Sequence, residues 1–126
     1  MGRRRLSGVK LHRGAVVIAS LRNLSGKPRP FVVLRSNLFL GNTLVTLLAF
    51  TSRLRHAPTL RVTIEPTPDN GLLVTSQAEI DQVQSVAARR IDRVVGQLAR
   101  ADMQAIDHAV AVYLGFADVP RRASAA

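Results

Sequence analysis

The segment TLVTLLAF at residues 43–50 has only apolar residues after Thr43, with Thr46 as the one exception. Strands that are exposed on one face alternate polar and apolar residues, because successive side chains point to opposite faces of the sheet. A short continuous apolar run is instead typical of a strand that is buried on both faces. We therefore predict a central strand at this position, with further strands on either side of it.

Four other segments favour a mainly antiparallel sheet around this strand. Residues 16–19 and 31–34 are short runs rich in β-branched and apolar residues, and residues 60–65 contain the alternating run RVTIE. Residues 66–71 are rich in Pro, Asp, Asn and Gly, which favour turns, and residues 74–86 after them have the pattern of extended chain.

The periodicity changes near the C-terminus. Apolar residues recur there at spacings of three and four, at Met103, Ile106, Ala109, Val110, Tyr113 and Leu114. This spacing predicts an amphipathic helix over residues 101–114, which ends before Gly115. The predicted fold class is mainly β (α+β), a small, partly closed antiparallel sheet or barrel with a C-terminal helix.

The length of 126 residues fits one domain. We assign residues 13–116 to this domain, residues 1–12 to a basic flexible N-terminus and residues 117–126 to a flexible C-terminal tail. No apolar run approaches the ~20 residues that span a bilayer, and the basic N-terminus is not followed by the apolar stretch of an export signal. We therefore expect a cytoplasmic protein that does not associate with membranes.

The chain is strongly basic, because 18 Lys and Arg residues outnumber 8 Asp and Glu residues and give a formal net charge of +10. Such an excess attracts polyanions and accelerates their encounter with the protein. The expected partner is a nucleic acid or an acidic protein. With no cysteine and three scattered histidines, the sequence has no recognisable metal-ligand spacing, and we expect no metal and no other cofactor.

Several segments, taken in order, carry a family resemblance. RGAVV at residues 13–17 is followed, after a polar loop, by GKPRPFVV at residues 26–33. LLAFTS at residues 47–52 ends in a Thr-Ser pair, and IDQ at residues 80–82 contains an acidic residue. Together these segments resemble the MazF/PemK family, and the resemblance implies its SH3-like β fold with a C-terminal helix.

The resemblance implies the toxin of a type II toxin–antitoxin system. Such a toxin is a sequence-specific endoribonuclease (mRNA interferase) that cleaves single-stranded mRNA without a metal. The ribose 2′-hydroxyl attacks the adjacent phosphate, which gives a 2′,3′-cyclic phosphate. The resemblance further implies a homodimer and a small acidic antitoxin protein as partner.

Three residues match the family positions with catalytic roles. Arg29 in the Arg-Pro pair is expected to stabilise the charge that develops on the phosphate, because its planar guanidinium stays protonated and suits a phosphate. Thr51 is expected to hydrogen-bond a phosphate oxygen or to orient the 2′-hydroxyl. Asp81 matches the acidic residue that some family members use as a general base.

Five further residues are expected to bind the substrate. They are Lys27, Ser52, Asn23, Ser25 and Gln82, which supply a positive charge, hydroxyls and amides. Because the chain has one Tyr, no Trp and four Phe, base recognition is expected to rest on such polar groups rather than on stacking.

The chain departs from the family pattern at three positions. Ala15 stands where the family usually has Asp, Gln82 where similar sequences have Lys, and Glu79 where one subgroup has Arg. Two alternatives therefore stay open beside the ribonuclease. One is a gyrase poison of the CcdB type, and the other is a catalytically weakened RNA-binding relative.

Overall fold

The computed structural model describes residues 11–119. This part of the chain forms β1 (Ala15–Ser20), β2 (Pro28–Val33), β3 (Leu44–Thr51), β4 (Arg61–Ile64), β5 (Ser76–Ala87), β6 (Ile91–Gln97) and α1 (Arg100–Tyr113). Most of the predicted flexible segments, namely residues 1–10 and 120–126, lies outside the described residues.

β3 lies in the interior of the sheet, as the apolar run at residues 43–50 predicts. The strand order is β4-β5-β3-β2-β1-β6, and each neighbouring pair is antiparallel. Residues that are at most 1% exposed in β3 are Val45, Leu47, Leu48, Ala49 and Phe50. The mainly β fold with a C-terminal helix is confirmed, and the sheet is open rather than closed into a barrel, with β4 and β6 at its edges.

β6 is a strand that the sequence analysis does not predict. Its residues Asp92, Arg93, Gly96 and Gln97 interrupt the apolar pattern, and the strand contains two register shifts relative to β1. Its extended conformation is completed by pairing with β1, which is a long-range contact that local pattern does not reveal.

Both faces of the central strands are buried, because alternate residues of the same strands enter two separate cores. The first core contains Leu11, Ala15, Val17, Ala19, Leu21, Phe31, Val33, Val45, Leu47, Ala49, Ala88 and Ile91. The second core contains Val16, Val32, Leu48, Phe50, Ile64, Leu72, Ala78, Ile80, Leu98 and Ile106. A neighbouring pair such as Val16 and Val17 therefore contributes to both.

α1 covers the second core. Ile106 is fully buried there, and Met103, Ala109 and Val110 pack beside it. The helix predicted over residues 101–114 is thus confirmed to within one residue at each end, and Gly115 follows it with φ of 85°. Within residues 11–119, no helix is long and apolar enough to cross a bilayer.

The loop between β4 and β5 folds back onto β6. Asn70 is 1% exposed; its Oδ1 accepts from the backbone N–H groups of Thr67 and Leu72, and its Nδ2 donates to the carbonyl oxygen of Glu65 at 2.9 Å. Gly71 has φ of 70°, and a Cβ on it would collide with the backbone of β6. This close approach fixes the position of the residues that follow, which form one wall of the candidate site.

Candidate functional site

A groove of about 960 Å³ opens at the end of the sheet where β2 begins and β3 ends. Its lining residues come from the loop before β2, from the ends of β2 and β3, and from parts of β1, β5 and β6. Residues 71–74 contribute a further part of the wall. We call this surface the basic groove.

Charge distinguishes the basic groove. Four cationic side chains line it, those of Lys27, Arg29, Arg53 and Arg93, and Glu79 is the one carboxylate among its described lining residues. The groove therefore concentrates part of the chain's positive charge at a concave surface, which is the arrangement that attracts an extended polyanion.

Arg29 lines this groove and is held in place by two hydrogen bonds. Its Nη2 donates to the carbonyl oxygen of Phe50 and to Oε1 of Glu79, each at 2.7 Å. The other guanidinium nitrogens, Nη1 and Nε, donate to no group of residues 11–119. Arg29 is thus oriented by the protein while donors remain for a ligand.

Glu79 joins two arginines. Arg61 on β4 lies directly opposite Glu79 in the β4–β5 ladder, and its Nη2 is 3.5 Å from Oε2 of Glu79. The flanking residues Ala78 and Ile80 are fully buried in the second core, so strand alternation directs Glu79 away from that core. Its side chain is 18% exposed.

Four other predicted site residues line the same groove. Thr51 ends β3, Ser52 follows it, and Ser25 and Lys27 lie in the loop before β2. Oγ1 of Thr51 accepts from the backbone N–H of Arg53 at 3.1 Å. This contact caps the strand end and leaves the hydroxyl proton of Thr51 free to donate to a ligand.

The remaining three predicted residues do not line the groove. Nδ2 of Asn23 donates to Oε1 of Gln84 at 3.3 Å, the side chain of Asp81 is exposed, and Gln82 is half-buried. Their roles stay predictions. Asp81 follows the buried Ile80 in β5. It lies between the two parts of β5 that pair with β3, where the register is irregular.

Gln77 and Arg61 hold the edge of the site in place, although the sequence did not indicate a functional role for either. Gln77 is 7% exposed; its Oε1 accepts from the N–H of Arg55 and from Nη1 of Arg61, and its Nε2 donates to the carbonyl oxygen of Arg55. Arg61 also donates to the carbonyl oxygen of Arg53. The alternating pattern of residues 61–65 shows which side chains share a face, but it does not show that Arg61 meets Glu79.

Within residues 11–119, no group of three or more His, Asp or Glu side chains is arranged to hold a metal ion.

Comparisons with known proteins match most of the chain. Residues 12–114 match the family described as PemK-like, MazF-like toxin of type II toxin-antitoxin system. Over 108 residues the chain is 39% identical to the probable endoribonuclease MazF of Mycolicibacterium smegmatis, which covers 85% of this chain and 99% of that protein.

Two solved structures show the same fold. The Mycobacterium tuberculosis toxin MazF-mt6 superposes with a TM-score of 0.69 and 25% identity, over 82% of this chain and 98% of that chain. An endoribonuclease in complex with its cognate antitoxin from mycobacterial species superposes with a TM-score of 0.71 and 23% identity, over 88% and 98%.

Proposed function

The chain belongs to the PemK-like, MazF-like toxins of type II toxin–antitoxin systems, and we propose that its basic groove binds single-stranded mRNA and that Arg29 contacts the phosphate that is cleaved. The observation that supports this most is the position of Arg29. It lies in the groove beside Thr51, oriented by two acceptors, with two nitrogens unused.

The proposed reaction is attack of the ribose 2′-hydroxyl on the adjacent phosphorus, which displaces the 5′-oxygen and leaves a 2′,3′-cyclic phosphate. Negative charge grows on the non-bridging oxygens during this step, and a donor that is already aimed at them lowers the barrier most. Nη1 and Nε of Arg29 are suited to that task. The hydroxyl of Thr51 supplies a second donor from the end of β3.

Substrate positioning is proposed for residues around these two. Lys27, Ser25 and Ser52 line the groove and would contact the RNA backbone or base edges. Asn23 and Gln82 do not line the groove, and they would contact nucleotides of the RNA that extend beyond it.

The proposed partner is a small acidic antitoxin protein that occupies the same groove and excludes RNA from it. Charge complementarity to four lining cations supports this, and so do the apolar side chains of Leu73 and Val74, which are 94% and 54% exposed in the groove wall. We further propose that the protein acts as a homodimer in the cytoplasm.

The experiment is cleavage of end-labelled single-stranded RNA of mixed sequence in the presence of EDTA, with the product ends mapped and tested for a cyclic phosphate. We expect cleavage at a short sequence to persist in EDTA. Arg29→Ala should lower the rate by about 10²–10³. The matched control is Arg100→Ala, an exposed arginine at the start of α1 that does not line the groove.

Two outcomes would favour the alternatives. RNA that is bound but never cut by the wild-type protein would indicate the catalytically weakened RNA-binding relative. Failure to bind RNA together with inhibition of a gyrase reaction would indicate the gyrase poison.

A further inference from the structure

We propose that Glu79 is the general base of this ribonuclease, the group that takes the proton from the attacking 2′-hydroxyl. This inference rests on the proposed function, because it assigns one residue a step in that reaction. It replaces the expectation that Asp81 does so.

The described lining of the groove contains a single carboxylate. Its described lining side chains are apolar, hydroxylic or cationic apart from Glu79, and none is a histidine or an aspartate. Lysine and arginine are protonated near neutral pH, and serine and threonine hydroxyls are very weak bases. Glu79 is therefore the one side chain there that can accept a proton under ordinary conditions.

Glu79 also lies next to Arg29, the group proposed to bind the phosphate. Oε1 of Glu79 is 2.7 Å from Nη2 of Arg29. The 2′-hydroxyl and the phosphate it attacks are neighbours on one nucleotide, so the base and the phosphate donor have to be neighbours as well. Asp81 is exposed and does not line the groove.

The charges around Glu79 are compatible with RNA binding. A lone carboxylate in a groove for RNA would repel the phosphates. Here Arg29 on β2 and Arg61 on β4 both face Glu79, so the formal charge of these three side chains together is positive. The two neighbouring arginines keep this part of the surface cationic.

The proposed proton transfers return Glu79 to its starting state. The O–H bond of the 2′-hydroxyl breaks as its oxygen bonds to phosphorus, and the proton passes to the carboxylate of Glu79. The bond between phosphorus and the 5′-oxygen then breaks, and that oxygen takes a proton from water. Glu79 releases its proton to the resulting hydroxide, which regenerates the carboxylate.

The test compares Glu79→Gln with Asp81→Asn, using Asp118→Asn as a control that removes an exposed carboxylate outside the groove. We expect Glu79→Gln to lower kcat by about 10²–10⁴, the usual contribution of a general base. It should bind an uncleavable RNA with a 2′-deoxy nucleotide at the cut site at least as tightly as the wild type does, because a negative charge has been removed. A larger loss in Asp81→Asn than in Glu79→Gln would overturn the inference.

A second substrate separates a base from an acid. When sulfur replaces the 5′-bridging oxygen, the leaving group needs no proton, so a variant that lacks only the acid recovers its rate. We expect Glu79→Gln to stay slow on this RNA. Recovery would assign Glu79 to the leaving group and overturn its role as base.

Glu79→Asp provides a second test, because it keeps a carboxylate on a side chain that is one carbon shorter. It should cleave faster than Glu79→Gln, and equal rates in the two variants would overturn the inference. If the wild-type protein cleaves RNA and Glu79→Gln cleaves it equally fast, only the role of Glu79 as base is rejected. Absence of any wild-type cleavage would reject the proposed function.

Discussion

Thr51 shows how one residue can serve both the fold and the proposed reaction. Its Oγ1 accepts from the N–H of Arg53 at 3.1 Å, which holds the turn after β3, and its proton remains available to RNA. We expect Thr51→Ser to keep both functions and to cleave at close to the wild-type rate. Thr51→Val keeps the shape but removes the hydroxyl. We expect it to slow single-turnover cleavage by about tenfold to a hundredfold, the value of one hydrogen bond to a charged group and less than the loss in Arg29→Ala. A slower Thr51→Ser than Thr51→Val would contradict this assignment.

The sequence predicts the residues that belong to local motifs better than those that meet across the sheet. Arg29 and Thr51 were found because each stands in a short motif at a strand end, and both line the groove. The motif match predicts Asp81 as the base, and it gives Glu79 only as a departure from the family pattern. Deciding between two carboxylates that are two residues apart requires the register of β5 against β4 and β3, including its irregular stretch, and that register is fixed by long-range pairing.

At the scale of elements, α1 was predictable and β6 was not, and the difference is physical. Apolar residues recur every three or four positions in the helix, so the local sequence is enough to identify its buried face. Polar and apolar residues do not alternate regularly in β6. The strand also contains Gly96, where an added Cβ would clash with the backbone of Asp69 and Asn70. Glycine is required at this position because the loop between β4 and β5 packs closely against it. The local sequence of β6 gives no sign of that contact.

The stability of α1 on the sheet should depend on Ile106, which is completely buried. Ile106→Ala removes three carbons from the second core, and we expect it to lower the free energy of unfolding by about 2–5 kcal/mol. Urea denaturation followed by circular dichroism measures this. Gln104→Ala, at an exposed position of the same helix, should change the stability by less than about 0.5 kcal/mol. Equal losses in both variants would mean that α1 does not pack on the sheet through Ile106.

The loop between β4 and β5 should couple stability to substrate binding. Asn70→Ala removes the side chain that satisfies three backbone groups in a site that is 1% exposed, and each buried group left unsatisfied costs about 1–3 kcal/mol. We expect a lower melting temperature and, at temperatures where the variant is still folded, a higher KM with a smaller change in kcat. The reason is that this loop positions the groove wall at residues 71–74 while Arg29 is held by β3 and β5. A selective loss of kcat would contradict that division.

At the scale of the whole molecule, apolar side chains remain exposed on a small chain. Leu38 is 86% exposed and Phe116 is 84% exposed, and such residues often mark protein interfaces. We expect light scattering at micromolar concentration to give twice the subunit mass of 13.7 kDa. A particle of 13.7 kDa across the whole concentration range would reject the homodimer.

The net charge of +10 predicts how RNA binding responds to salt. Each phosphate that a cation neutralises releases counterions, so the logarithm of the binding constant falls linearly with the logarithm of salt concentration, by about 0.7 per contact on a single strand. If three or four groove cations contact phosphates, the slope is about −2 to −3. We expect Lys27→Ala to reduce the magnitude of this slope by about 0.7, because Lys27 is an exposed cation lining the groove. Arg100→Ala removes the same charge outside the groove and should leave the slope unchanged. If both variants reduced the slope equally, the RNA would be responding to the net charge of the molecule, and the basic groove would not be its binding site.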